Sequence, residues 1–291
     1  MMLADVTGAK CQWLCTGHEF FSAMLAAIAA AQRAVALETY IFSAGPLGGR
    51  FRDALVQARQ RGVNVRILLD ALGCYNLPGS YWAMLTTIGG EVRRFNPVSL
   101  NRLGIRNHRK LLVCDEQVAF IGGFNISEEY DGDGVKQGWF DLGLRLEGLL
   151  AVELASSFDE MFARAEFQHK PFVALRRSSA KRTVQALRER LLLSGPGRGR
   201  SPIKRDLQRD LARAHRVQII VAYFLPTWRL RRQLFHVVRR GGQVHGGSEL
   251  GILRVRPSCD CALAAGGWLS VAPSLRRSPG CFSSGGGFLD G

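Results

Sequence analysis

The sequence lacks any uninterrupted apolar run of about 18 residues, the length that a membrane-crossing helix needs. Its best apolar stretch, Ala23 to Ala31, is short and gives way to Gln32 and Arg33. Met1 to Lys10 contains no basic segment leading into an apolar one, so no secretory leader is expected. Seven cysteines include no pair of CxxC units with zinc spacing, and their odd number argues against a complete disulfide framework. A soluble or membrane-surface protein of the cytoplasm is the default expectation. Acidic residues are scarce in one region above all. Between 176 and 240, Glu189, Asp206 and Asp210 stand against eighteen Arg and Lys, which accounts for the whole +15 excess. Such a stretch attracts polyanions, meaning anionic lipid surfaces or nucleic acid, unless it is simply the solvated side of helices.

What is present is ample material for a core: 47% of 291 residues are hydrophobic, enough for one large domain or two smaller ones. Helical and strand patterns alternate. Helical spacing runs over 18–33, 51–61 and 81–88, with strands over 35–42, 63–69 and 91–95 between them. Two short strands, 110–114 and 118–121, flank a tight turn at Asp115-Glu116-Gln117. A strand over 141–146 and a helix over 149–165 close this region. Cys114 reads as a small buried thiol in an apolar strand. The alternation implies a layered α/β fold.

The segment from Arg33 to Phe42 returns in outline from Arg216 to Leu225. Each copy is followed by a basic helix ending in Arg-Gly, at 61–62 and at 240–241. This is an internal repeat. Residues 169–201, with Ser178-Ser179 and Gly195-Pro196-Gly197, read as the linker. From His245 onward Gly, Ser, Cys and Pro dominate and periodicity is lost.

The informative segment runs from Asn107 to Asn125. Strand alternation projects His108 and Lys110 together, and the turn at Asp115 returns the chain so that Gly122, Gly123 and Asn125 lie alongside. An imidazole, an ammonium and an amide converging on one point suit a phosphate. His108, Lys110, Asp115, Gly122, Gly123 and Asn125 match, at every spacing, the signature HxKxxxxD followed six residues later by GGxN. The chain therefore resembles the phospholipase D superfamily. Glu38-Thr-Tyr-Ile-Phe, the run from Arg61 to Asp70 and Trp139-Phe-Asp141 make it similar to the bacterial cardiolipin synthase branch, over about 16–244.

That resemblance implies an α/β/α sandwich, a mixed sheet flanked by helices. The expected organisation is a complete first repeat over 1–168, a basic linker over 169–201, the start of a second repeat over 202–244, and an irregular tail over 245–291. It also implies phosphatidyl transfer through a covalent phosphohistidine on His108, with Lys110 and Asn125 holding the phosphate oxygens beside Gly122 and Gly123. Neither metal nor cofactor is called for. Asp115 belongs to the catalytic motif, but its parity favours a turn and ion-pair role. Asp141 is placed to orient the imidazole, and Glu38 either lines the site or caps a sheet edge. The expected partner is an anionic, phosphatidylglycerol-like phospholipid at the cytoplasmic face of the inner membrane, with nucleic acid second.

The repeat places a second motif near residue 287, where Gly285-Gly286-Gly287 stands, and no HxK occurs after His245. A frameshift or truncation near Val244, and an impaired enzyme, are the expectation. The alternatives are a single-motif phosphodiesterase or nuclease completed by homodimerisation, and a catalytically dead lipid-surface protein.

Overall fold

The computed structural model describes residues 10–96, 106–165, 183–186, 189–193, 201–221, 224–248 and 251–254. The chain divides into two compact units between Gly199 and Arg200. No helix among the described residues is long and apolar enough to cross a membrane.

The first unit is built on a seven-stranded mixed sheet. In chain order its strands are β1 (Cys11–Leu14), β2 (Ala34–Thr39), β3 (Asn64–Asp70), β4 (Glu91–Phe95), β5 (Leu111–Cys114), β6 (Val118–Gly122) and β7 (Gly143–Glu147). Across the sheet they run β1-β7-β6-β5-β2-β3-β4. The pairs β2–β3 and β3–β4 are parallel, and the rest are antiparallel. Helices α1 (Gly17–Ala30), α2 (Pro46–Gln60) and α3 (Ala83–Thr87) belong to one face, and α4 (Leu149–Phe162) to the other. Side-chain alternation decides which core each strand residue joins. Leu37, Ile67, Leu69 and Leu112 pack with Phe20, Phe21, Ile28, Phe51 and Leu55, whereas Ala36, Leu68, Val113 and Ala119 pack with Leu154, Phe158 and Met161. The expected α/β/α sandwich is the fold of this unit.

Two of the boundaries that differ from the periodicity do so for visible reasons. Helix α1 stops at Ala30 because the Asp115 carboxylate accepts the backbone N–H groups of Gln32, Arg33 and Ala34 at 2.9, 2.8 and 2.8 Å. Those donors are held in an extended turn. Strand β2 ends at Thr39, before the expected Phe42, because the Asn125 side chain takes the Ile41 N–H at 3.2 Å.

The second unit repeats part of this frame. Helix α5 (Pro202–Arg213), β10 (Arg216–Ile220), α6 (Trp228–Arg239) and β11 (Gln243–Ser248) follow one another as α1, β2, α2 and β3 do, and β10 is parallel to β11. Leu211, Leu234, Val237, Val238 and Val244 form its core.

The loss of regular structure expected from His245 does not begin there. Strand β11 continues to Ser248, and β12 (Gly251–Arg254) pairs with it antiparallel. Gly246 and Gly247 enter the ladder through backbone groups alone, leaving no side-chain alternation to read. Within the expected linker, β8 (Thr183–Ala186) and β9 (Glu189–Leu192) form a hairpin. Most of that linker and all of 255–291 lie outside the described residues, and with them the frameshift reading.

Candidate active site

His108 and Lys110 sit immediately before β5, at the edge of the sheet where β2 and β3 end. Lys110 Nζ lies 3.0 Å from His108 Nδ1 and donates to the His108 carbonyl at 3.1 Å. His108 is exposed and Lys110 half-buried. Burial, then the neighbouring ammonium, pushes the imidazole below its ordinary value, against a pull from Asp70, so it is neutral at pH 7. Burial also pushes Lys110 down to about 8, against the attraction of Asp141. A neutral, accessible imidazole and a partly desolvated ammonium are what attack on an anionic phosphate requires.

The aromatic ring of Tyr40, just past the end of β2, stacks on His108 with centroids 4.0 Å apart, and Lys110 Nζ lies 5.6 Å from the same ring centroid. Tyr40 was not singled out in the sequence. Its proximity depends on the antiparallel β2–β5 pairing, which no local pattern reveals.

Asn125 is buried and fixed at both ends, its Oδ1 accepting from Ile41 N–H and its Nδ2 donating to Tyr130 Oη at 3.0 Å. The β5–β6 register pairs Leu111 with Ile121, which carries Lys110 beside Gly122 one step on. The glycines, expected to admit a bound phosphate, are occupied differently. A Cβ on Gly123 would stand 2.0 Å from the Asp141 carboxylate, and one on Gly122 would meet the Leu142 carbonyl at 2.5 Å. Gly123 therefore makes room for Asp141. That carboxylate accepts from Leu142 N–H at 2.8 Å and acts electrostatically on Lys110 and Tyr130. Among the described residues no hydrogen bond joins it to His108, the imidazole it is expected to orient, and its charge acts on Lys110.

Asp115 does not join the site. Seven residues along an extended strand place it roughly 20 Å from His108. Burial opposes its charge, but the backbone donors from 32–34 and Arg33 prevail and hold its carboxyl below the usual range. The motif aspartate ties α1 to β2, the structural alternative weighed above.

Glu38 does not line the site either. It is wholly buried on the opposite side of the strand, its Oε1 accepting from Asn107 Nδ2 at 2.5 Å and its Oε2 standing 3.1 Å from Arg109 Nη2. Burial raises its pKa against the pull of Arg109 and Asn107. Asp70, also wholly buried, accepts the Asn107 backbone N–H at 2.8 Å. Among the described residues no group of three or more His, Cys, Asp or Glu could hold a metal ion.

Residues 24–132 match the family model described as cardiolipin synthase, PLD-like domain. The chain is 36% identical over 158 residues to the major cardiolipin synthase ClsA of Bacillus subtilis, covering 53% of this chain and 33% of that protein. To cardiolipin synthase B of Salmonella typhimurium it is 32% identical over 256 residues, 81% of this chain and 59% of that one. It thus spans about a third to three-fifths of the length of these relatives. Among solved structures, phosphatidylserine synthase of Haemophilus influenzae shares the fold with a TM-score of 0.66 at 14% identity, over 84% of this chain and 62% of that one.

Proposed function

Because this chain is a cardiolipin synthase-like member of the phospholipase D superfamily, we propose that it transfers the phosphatidyl group of an anionic phospholipid through a covalent intermediate on His108. The carrying observation is the contact between a neutral, exposed imidazole and the ammonium of Lys110, 3.0 Å apart. An incoming phosphodiester draws Lys110 off Nδ1 and onto its non-bridging oxygens, which frees the imidazole to attack phosphorus. A P–N bond forms, the P–O bond to the headgroup alcohol breaks, and the alkoxide takes a proton. A second hydroxyl then attacks phosphorus and gives its proton to the group that protonated the alkoxide, the P–N bond breaks and the histidine is regenerated. With phosphatidylglycerol as donor and acceptor, the products are cardiolipin and glycerol. Asn125, held by Ile41 and Tyr130, has a second amide hydrogen for a phosphate oxygen.

The leaving alkoxide needs an acid. No second HxK occurs in the 291 residues, so for this stretch by itself water or the His108 of a second copy would supply that proton. A positioned acid contributes about 10²–10⁴-fold, and we infer slow turnover for a single chain. The membrane surface on which such a donor resides makes the protein peripheral to it.

The test is to incubate purified protein with phosphatidylglycerol vesicles, quench in alkali, and search for a phosphoryl adduct on His108 by mass spectrometry alongside released glycerol. Adduct and glycerol in the native protein, with neither in H108A, support the reading. Equal glycerol release by H108A overturns it.

A further inference from the structure

The residues on either side of His108 are tied down from behind. Glu38 stands next to last in β2 and Asp70 ends β3, two parallel neighbours, and both carboxylates are wholly buried. Asn107 donates its backbone N–H to Asp70 Oδ2 at 2.8 Å and its side-chain amide to Glu38 Oε1 at 2.5 Å. Arg109 Nη2 stands 3.1 Å from Glu38 Oε2, and Arg106 Nη1 stands 3.7 Å from Asp70 Oδ1. Strand alternation then leaves one direction for His108 and Lys110, away from both carboxylates and toward solvent.

We propose that Glu38 and Asp70 are positioning residues for His108, which grip Asn107 and Arg109 on either side of it and so fix where the imidazole points. This rests on His108 being the nucleophile, as argued above.

Burying a carboxylate is costly, and a buried ion pair can often be exchanged for apolar residues at no loss of stability. A pair of them at the strand ends beside a nucleophile fits preorganisation better than stabilisation. A displacement of about 1 Å of a reacting group costs roughly 10²-fold in rate. A clamp spanning the residue before and the residue after the nucleophile restrains such displacement. A purely structural network would hold the sheet to α4 through Arg109 and the Ser157 carbonyl, 3.5 Å away, and would leave the imidazole indifferent to its loss.

The experiment follows the His108 imidazole signal of ¹³C-histidine-labelled full-length protein, assigned with H108N, while inorganic phosphate is titrated. It compares the native chain with Glu38→Gln, Glu38→Ala, Asp70→Asn and, as a distant control, Leu55→Ala, which opens a cavity beneath α2. We expect Glu38→Ala to shift and broaden the His108 signal and weaken phosphate by roughly 10-fold. Asp70→Asn should do the same, because one amide oxygen cannot serve both Asn107 N–H on Oδ2 and the Leu72 and Gly73 N–H groups on Oδ1. Their kcat should fall by about 10²-fold with KM moving less than about threefold. Glu38→Gln, which still accepts from Asn107, should recover most of the loss. Leu55→Ala should lower Tm and leave the His108 signal alone. If Glu38→Ala and Asp70→Asn lower Tm yet keep the native signal and phosphate affinity, the proposal is wrong. Should Glu38→Ala not fold, the isosteric Asp70→Asn decides by the same two readings. Failure of the native chain to make cardiolipin or an adduct would overturn the transfer reaction alone, because the imidazole signal and phosphate titration need no turnover.

Discussion

Arg61 and Arg240 perform the same task in the two units. Arg61 Nη2 donates to the carbonyls of Ile28 and Ala31 at the end of α1, and Arg240 Nη2 donates to those of Leu211 and Ala214 at the end of α5. Beyond each arginine stands a glycine with positive φ, +91° at Gly62 and +81° at Gly241. The next strand then enters the sheet through matching 2.8 Å bonds, Asn64 N–H to Arg33 O and Gln243 N–H to His215 O. In these bonds the two frames agree. They part at the central strand: β2 lies between β3 and β5, whereas β10 has only β11 beside it among the described residues. The β5–β6 hairpin, which follows the proposed nucleophile, is thus what the first frame has and the second lacks among the described residues. The contrast can be broken or sharpened at several levels.

The largest effect belongs to the hairpin's histidine. Replacing His108 with Ala removes the attacking nitrogen and should cost at least about 10³-fold in transfer, while Tm stays within a few degrees because the imidazole is exposed. Replacing His215 or His236 of the second unit should leave transfer within about twofold. A comparable loss at either would put chemistry in the second frame too.

Lys110 comes next and carries a pH signature. Its ammonium is lost as pH rises through about 8, so kcat/KM for the free protein should fall above that pH. On the acid side it should fall only below the ordinary histidine range, since His108 is held neutral. Arg in place of Lys110 stays protonated throughout and should remove the alkaline fall, even if it lowers the plateau about tenfold. An alkaline limb unmoved in K110R would mean that another group titrates there.

How much of this was legible depended on whether a residue's role is local. The βαβ order, the tight turn at Asp115 and the convergence of His108 with Lys110 follow from periodicity and spacing, which are properties of neighbouring residues. The Arg61–Gly62 and Arg240–Gly241 pairs were visible as text, but the capping of the preceding helix was not. The partners of Glu38 and Tyr40 were opaque because antiparallel β2–β5 pairing connects residues some seventy positions apart, and those of Asp70 because it meets Asn107 from another strand, β3; a lone carboxylate in an apolar strand gives no sign of its partner. Asp141 is legible as a carboxylate near the phosphate site, but which group it faces is not. Two groups near one phosphate site are indistinguishable until the geometry says whether the imidazole or the ammonium faces the carboxylate.

Asp115 lies further down the scale and acts on stability. Asn in its place keeps one acceptor oxygen for three backbone donors, and losing such a bond at an exposed or half-buried N–H costs about 0.5–1.5 kcal/mol. The loss should appear as a lower Tm, and its effect on turnover should be smaller than that of any change at Lys110. The depressed carboxyl also fixes a sign. The stabilisation is present above the ordinary aspartate value and disappears as pH falls through the lowered one. D115N should therefore flatten the acid limb of the native stability curve.

The smallest effect tests whether the two frames are alike. A Cβ added at Gly62 or at Gly241 meets nothing within 4 Å, so alanine at either position costs only the left-handed backbone, about 1 kcal/mol. Hydrogen exchange resolves the two sites within one chain. G62A should lower protection of the α2 amides, and G241A that of the α6 amides, each by about fivefold and each within its own unit. Equal penalties would mean that the second turn is held as firmly as the first, so the units differ in what the frame carries and not in how well it is built. A silent G241A beside a costly G62A would instead place the difference in the frame itself, because a turn that relaxes out of positive φ imposes no penalty on alanine.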